Sequence, residues 1–151
     1  MNFFKTVVVA VLSLGLVSAV MAAGSSSTST QPKVSNFERG VEAVEAEKYK
    51  KARKLFNKVV DADPRNADAW NYLGFSNRKL KKFDQALNAY QEALAINPDH
   101  LGANEYLGEL YLQTGELEKA RERLQKLDSI CASGCDELDD LKAAIQSYEN
   151  G

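Results

Sequence analysis

The chain has 151 residues, and its 19 basic and 21 acidic residues leave a formal net charge of −2. This length is enough for one domain. The basic residues are not interleaved with aromatic ones, which argues against a nucleic-acid-binding protein.

Residues 1–22 have the organisation of a secretory signal peptide. Lys5 gives a short positive region, and residues 7–20 are mainly apolar. The residues that follow are small or of a type that is tolerated before a signal-peptide cleavage site. An uncleaved membrane anchor is the alternative, but a helical span usually needs about 20 apolar residues. We therefore expect cleavage after Ala22 or Ala23 and an exported protein, periplasmic or extracellular in a bacterium, with no membrane span after cleavage.

A Ser/Thr-rich segment, residues 23–34, has no apolar periodicity and is typical of a flexible linker. Ser35 follows, with Glu38 three residues later. A Ser followed at this spacing by Glu is a capping box, so the sequence predicts that the first helix starts here.

A spacing of 34 residues recurs through the rest of the chain and divides it into three units, residues 35–66, 67–100 and 101–134. The residues that recur in phase are small residues and large apolar ones: Gly40, Gly74 and Gly108; Ala52, Ala86 and Ala120; Phe56, Tyr90 and Leu124. Repeats of this length indicate a solenoid in which neighbouring units bury each other's apolar faces.

The middle unit resembles the tetratricopeptide repeat (TPR), a helix–turn–helix motif, through Trp70, Leu73, Gly74, Ala86, Tyr90 and Pro98. The resemblance implies an all-α superhelix of three repeats. A repeat core is predicted at Gly40, Ala52, Phe56, Trp70, Leu73, Gly74, Ala86, Tyr90, Gly108 and Ala120, in which Gly74 faces Ala86 across the helix pair.

The first helix is irregular, because Asn36 and Arg39 stand where the repeat prefers large apolar residues. Its apolar stripe is Phe37, Gly40, Val41 and Val44. Either the helix is rotated to bury this stripe, as terminal repeats often are, or the stripe is offered to a ligand.

Residues 135–151 form a last amphipathic helix that should cap the third repeat. Cys131 and Cys135 precede it and lie one helical turn apart, so an exported protein is expected to join them in a disulfide. Redox catalysis and metal binding are weaker alternatives, since no C-x-x-C motif or cluster of metal ligands is present. We expect no metal and no cofactor.

The resemblance also implies function: TPR proteins are usually non-catalytic and bind peptides or proteins in a concave groove. Transferring the family's groove positions gives Asn71, Phe75, Arg78, Lys79, Glu105, Glu109 and Leu112. Members that clamp a peptide carboxylate have Lys and Asn where this chain has Phe37 and Val41, which argues against that ligand class.

Phe75 leaves two interpretations open. It forms the floor of a groove with a basic wall at Arg78 and Lys79 and an acidic wall opposite, or it packs near Val41 and Val44 while both cations face water.

Charge is distributed unevenly, with 13 basic and 7 acidic residues in residues 33–82 but 5 and 14 in residues 83–151. We carry three hypotheses: an exported scaffold that binds a protein or peptide partner, a structural protein that assembles end to end, and, far behind, a thiol-redox enzyme using the two cysteines. The export signal and the C-x-x-x-C motif are similar to those of small exported TPR proteins of Gram-negative bacteria.

Overall fold

The computed structural model describes residues 35–151, so the predicted signal peptide and linker lie outside it. This part of the chain is helical and contains no strand. None of its helices combines the length and the apolar character needed to cross a membrane. The helices are α1 (Asn36–Glu45), α2 (Tyr49–Ala62), α3 (Ala67–Lys79), α4 (Phe83–Ile96), α5 (Leu101–Gln113), α6 (Leu117–Ile130) and α7 (Asp136–Asn150).

The first six helices form three antiparallel pairs, α1 with α2, α3 with α4, and α5 with α6. The odd-numbered helices contact each other from pair to pair, whereas α2, α4 and α6 make no such contacts with one another within residues 35–151. The odd-numbered helices therefore lie on the inner side of the curve, which we call the concave face. The helix α7 packs on α5 and α6, and the predicted architecture of three pairs and a cap is confirmed.

Each pair turns through one residue in the left-handed backbone region, and these residues are 34 positions apart: Glu47 (φ 54°), Lys81 (φ 58°) and Gly115 (φ 80°). The amide of the next residue donates to a carbonyl in the preceding helix at 2.7–2.9 Å. This satisfies carbonyls at the helix end as in a Schellman motif. Only the third turn has glycine, the residue that adopts this conformation without steric cost.

Side-chain caps start α1, α3 and α5. The predicted capping box is confirmed: the Glu38 amide donates to Ser35 Oγ at 3.1 Å, and the Ser35 amide donates to Glu38 Oε2 at 2.8 Å. His100 caps α5 by accepting from the Ala103 amide at Nδ1, and its Nε2 contacts Asp68 at 3.0 Å. If Nδ1 accepts, the ring proton is on Nε2, which then donates to Asp68 and ties two repeats together.

The glycines of the first two pairs make room for aromatic rings. A Cβ atom on Gly74 would lie 2.5 Å from the Tyr90 ring, and one on Gly40 would lie 2.7 Å from the Phe56 ring. The atoms nearest to this position on Gly74 belong to Tyr90, whereas the sequence predicted Ala86, which is fully buried in the same cluster as Tyr90. The close approach is between a backbone and a ring.

In the third pair the residue in phase with Phe56 and Tyr90 is Leu124, and it is only half-buried. The space over Gly108 is filled from α7 instead, because a Cβ on Gly108 would lie 2.6 Å from the Leu141 side chain. Leu141 and Ile145 form a buried cluster with Leu112 of α5. The cap is thus anchored in the position that an aromatic ring occupies in the other repeats.

Most of the other predicted core residues are buried, while Trp70 is half-buried and donates from Nε1 to the Pro64 carbonyl at 2.9 Å. On α1, Gly40 and Ala43 are buried, whereas Phe37, Val41 and Val44 are half-buried against the first core cluster. The apolar stripe of α1 therefore packs against the core, although its large side chains keep part of their surface exposed.

The two cysteines lie between α6 and α7, with Cα atoms 5.7 Å apart and their sulfur atoms at bonding distance. This separation is within the range of natural disulfides. Formation of the bridge in the protein stays a prediction.

We expect Leu141→Ala to lower the free energy of unfolding by about 2–5 kcal/mol, because it leaves a cavity over Gly108. Tyr148→Ala, on the same helix but at a residue that is 45% exposed, should be nearly neutral. Urea denaturation of the two variants checks this, and equal effects would contradict the proposed anchoring of the cap.

Candidate functional site

The predicted groove residues lie on α3 and α5, which both line the concave face. Four of the seven are buried: Asn71 (6% exposed), Arg78 (4%), Glu105 (6%) and Leu112 (8%). Phe75 and Glu109 are half-buried, and Lys79 is exposed. The prediction that Leu112 lies in the groove is wrong, because Leu141 and Ile145 of the cap cover this side chain.

Phe75 is half-buried on the concave face, and its ring packs on neighbours that neither predicted environment included. Its ring lies 6.0 Å from the Tyr49 ring on α2 and 5.0 Å from the Tyr106 ring on α5, measured between centroids. The Lys79 ammonium lies 5.3 Å from the centre of the Phe75 ring. Phe75 is therefore a partly exposed member of an aromatic cluster that joins successive repeats, and its ring packs on Tyr49 and Tyr106 instead of Val41 and Val44.

The prediction for Arg78 is also wrong, since the side chain neither faces water nor forms a free basic wall. Its guanidinium pairs with the Glu109 carboxylate on α5. The same group lies 5.4 Å from the ring centres of both Phe75 and Tyr106. Successive inner helices lie side by side, so a cation on α3 reaches the carboxylate on α5, and the two predicted walls neutralise each other here.

Glu105 is the most perturbed carboxyl group on this face. Burial, together with the charges of Glu109, Asp140 and Glu137, raises its pKa to about 8, while the charge of Arg78 acts in the opposite direction. Glu137 and Asp140 belong to α7, so the cap brings two carboxylates to Glu105. Burial likewise raises the pKa of Tyr106 to about 12, so its hydroxyl group stays neutral at physiological pH.

The sequence reasoning missed Tyr106, Glu137 and Asp140 as residues of this face. Tyr72 and Tyr106 are 34 residues apart, and each packs on the aromatic ring of the preceding repeat, at 5.1 Å from Phe56 and 6.5 Å from Tyr90. Asp140 lies a further 34 residues along the chain, at the position equivalent to Tyr72 and Tyr106. The periodicity that located the glycines contained this signal as well.

Two family models described as tetratricopeptide repeat match the chain, at residues 37–82 and 78–145. Together they span well over half of it, and the chain belongs to the tetratricopeptide repeat family. The family and the fold are those of protein-interaction scaffolds.

Relatives of known name share parts of the sequence. Heat shock protein STI1 of Saccharomyces cerevisiae is 33% identical over 101 residues, which cover 64% of this chain and 16% of that protein. Protein FlbA of Caulobacter vibrioides is 40% identical over 62 residues, which cover 41% of this chain and 10% of that protein. The chain therefore spans only a small part of the length of either relative.

Solved structures of the same fold include the first TPR of Spaghetti (RPAP3), bound to an HSP90 peptide, with a TM-score of 0.67 and 23% identity. That match covers 76% of this chain and 93% of the other. The translocator chaperone SycD of Yersinia enterocolitica has a TM-score of 0.69 and 17% identity, covering 76% of this chain and 81% of the other. At these identities the likeness establishes the fold.

The raised pKa of Glu105 predicts how stability changes with pH. Its folded pKa of about 8 exceeds the reference value of 4.5, so the folded state binds the proton more tightly than the unfolded state. The contribution of Glu105 to the free energy of unfolding should therefore be fully present below about pH 4.5 and be lost as the pH rises through 8.

We expect Glu105→Gln to remove much of this decline, because glutamine keeps the size of the side chain but cannot ionise. Glu122→Gln, at an exposed carboxylate on α6, should keep the wild-type slope. Thermal unfolding between about pH 5 and pH 9 compares the three proteins, and an unchanged slope in Glu105→Gln would refute the assignment.

Proposed function

We propose that the protein is an exported, non-catalytic scaffold that binds a protein or peptide partner along its concave face. The observation that carries this proposal is the partly exposed aromatic and charged surface that α3 and α5 build there. Phe75 and Tyr106 lie side by side on it, next to the exposed Lys79 and the half-buried Glu109. Aromatic side chains with adjacent charges are common anchors of protein interfaces.

Proteins of the same fold support this use of the surface. One similar structure is described as a TPR bound to an HSP90 peptide. Another is PcrH in complex with the chaperone binding region of PopD, with a TM-score of 0.68 and 19% identity. By analogy we propose that the concave face of this chain also receives a polypeptide segment. Phe37 and Val41 favour a ligand other than a peptide carboxylate.

A photo-reactive amino acid placed at Lys79 should cross-link to the partner in intact cells, because Lys79 is exposed beside Phe75 on the concave face. The same amino acid at Glu122, exposed on the outer helix α6, should give no adduct with that partner. Mass spectrometry of the adducts identifies the partner. Equal labelling from both positions would argue against binding at the concave face.

Export is part of the proposal and is supported by the signal sequence and by the two cysteines. A disulfide that closes so short a loop should stabilise the fold by about 2 kcal/mol in the chain-entropy model. Because Leu141 and Ile145 anchor α7 independently, we expect reduction to loosen the end of the chain without unfolding it.

Intact-mass measurement of the native protein tests cleavage of the signal peptide and formation of the disulfide together. We expect a chain that begins at Ala23 or Gly24 and takes up alkylating reagent at Cys131 and Cys135 only after reduction. A chain that retains Met1, or one with two reactive thiols before reduction, would contradict export or the bridge respectively.

A further inference from the structure

A groove separates the outer helices α2 and α4, which do not contact each other within residues 35–151. Its volume is about 400 Å³, which is in the range of small-molecule sites. Exposed side chains such as Asn57 of α2 and Asn88 of α4 form its walls, and the buried or half-buried Trp70, Leu73 and Asn77 of α3 form its floor. No residue of the concave candidate site lines it, so the groove is a separate feature.

Helical periodicity explains how two outer helices contribute to one site. Gln85, Asn88 and Glu92 are three and four positions apart on α4, and Arg53 and Asn57 are four positions apart on α2. Residues at these spacings lie on the same face of a helix. Each helix therefore presents one polar stripe to the groove.

The groove is rich in carboxamide groups. They belong to Asn57, Asn77, Gln85, Asn88 and Gln91. Each carboxamide both donates and accepts hydrogen bonds. The two charged lining residues, Arg53 and Glu92, have opposite signs, so the groove carries no net charge. This composition favours a neutral ligand with many groups that both donate and accept.

Two polar atoms of the lining residues are buried without a hydrogen-bond partner in residues 35–151. They are Arg53 Nε, which is a donor, and Asn77 Oδ1, which is an acceptor. Asn77 is 4% exposed. Buried polar groups without partners are costly and uncommon in native proteins. A ligand that satisfies both residues must itself accept and donate, and a hydroxyl group does both.

Trp70 gives the floor of the groove an apolar surface. Its Nε1 donates to the Pro64 carbonyl at 2.9 Å, so this bond holds the ring in place and leaves no indole donor that needs a ligand. The residue is half-buried. Sugar rings combine hydroxyl groups with C–H faces, and these faces pack well on the electron-rich face of an aromatic ring.

We propose that the groove between α2 and α4 binds a neutral saccharide of roughly two sugar rings. Its hydroxyl groups form hydrogen bonds with the carboxamides of both walls and with Arg53 and Asn77, and one sugar ring packs on Trp70. This inference goes beyond the proposed function, because it adds a second ligand class at a site that shares no residue with the concave face.

The lining residues favour a saccharide over a polypeptide segment. Peptide-binding grooves provide pockets for side chains as well as hydrogen bonds to the backbone. Besides Trp70, the apolar lining residues are Leu73 and Ala89, and both are buried. The groove therefore offers little apolar surface to the side chains of a peptide.

Fluorescence of Trp70 tests the proposal directly, because the chain contains one tryptophan. The probes are maltose, cellobiose and chitobiose, titrated into the purified protein. We expect a saturable change with at least one of these neutral disaccharides, with a Kd of about 1 mM or lower. Digalacturonic acid should bind about fivefold more weakly or worse, because its carboxylates would enter a site with no surplus of positive charge.

Substitutions in the wall of α4 locate the binding site. Gln85 and Asn88 are exposed, and alanine is the better helix former, so Gln85→Ala and Asn88→Ala should fold normally. Each should weaken the best disaccharide by about fivefold, since one hydrogen-bonding side chain is lost. The matched control is Gln146→Ala, at an exposed carboxamide on α7, which should leave the Kd unchanged.

Three results would overturn the inference. The first is no saturable change with any of the neutral disaccharides up to about 50 mM. The second is a Kd that neither Gln85→Ala nor Asn88→Ala alters. The third is a response to acetylated and amidated triglycine but to none of the sugars, which would make a polypeptide backbone the occupant. Cross-linking from Lys79 is unaffected by any of them, so the proposed function is tested separately.

Discussion

The contact of an aromatic ring with a glycine backbone is the constraint on which the repeat structure depends. Phe56 over Gly40 and Tyr90 over Gly74 leave no room for a Cβ atom, so each inner helix lies directly against the ring of its paired outer helix. The ring also packs against a tyrosine of the next inner helix, Tyr72 or Tyr106. One contact therefore sets the geometry within a pair and the position of the following pair.

The end of this series determines where the cap lies. Leu124 is aliphatic where the earlier repeats have an aromatic ring, and Leu141 of α7 fills the space over Gly108. An aliphatic side chain from the cap thus replaces an aromatic ring from the repeat itself. The helix α7 therefore packs on α5, and the charges of Glu137 and Asp140 act on Glu105.

Packing and electrostatics are coupled at this edge. The cap buries Leu112 and adds negative charge beside Glu105, whose carboxyl group is held neutral by burial and by its neighbours. On the other side, Arg78 is enclosed by Phe75 and Tyr106 and neutralises Glu109. The ion pair between α3 and α5 is therefore balanced within the structure, whereas the cap adds acidic charge that acts on Glu105.

The sequence by itself determined the helical fold, the three repeats, the cap and the start of the first helix. These features follow from local periodicity and from capping residues such as Ser35 and Glu38, whose contacts lie within a few positions in the chain. It also located the helices that build the concave face, because the groove positions of a repeat follow from its phase.

Only the tertiary structure decided which of those groove residues are accessible and what they contact. Burial of Arg78 on α3 depends on α5, and burial of Leu112 on α5 depends on α7, helices that lie next to these residues in space but start beyond a turn or more in the sequence. A pKa of about 8 for Glu105 needs low exposure and three carboxylates from two helices at once. Periodicity assigns a residue to a face of its helix, but the neighbouring helices determine whether that face meets water, a cation or another acid.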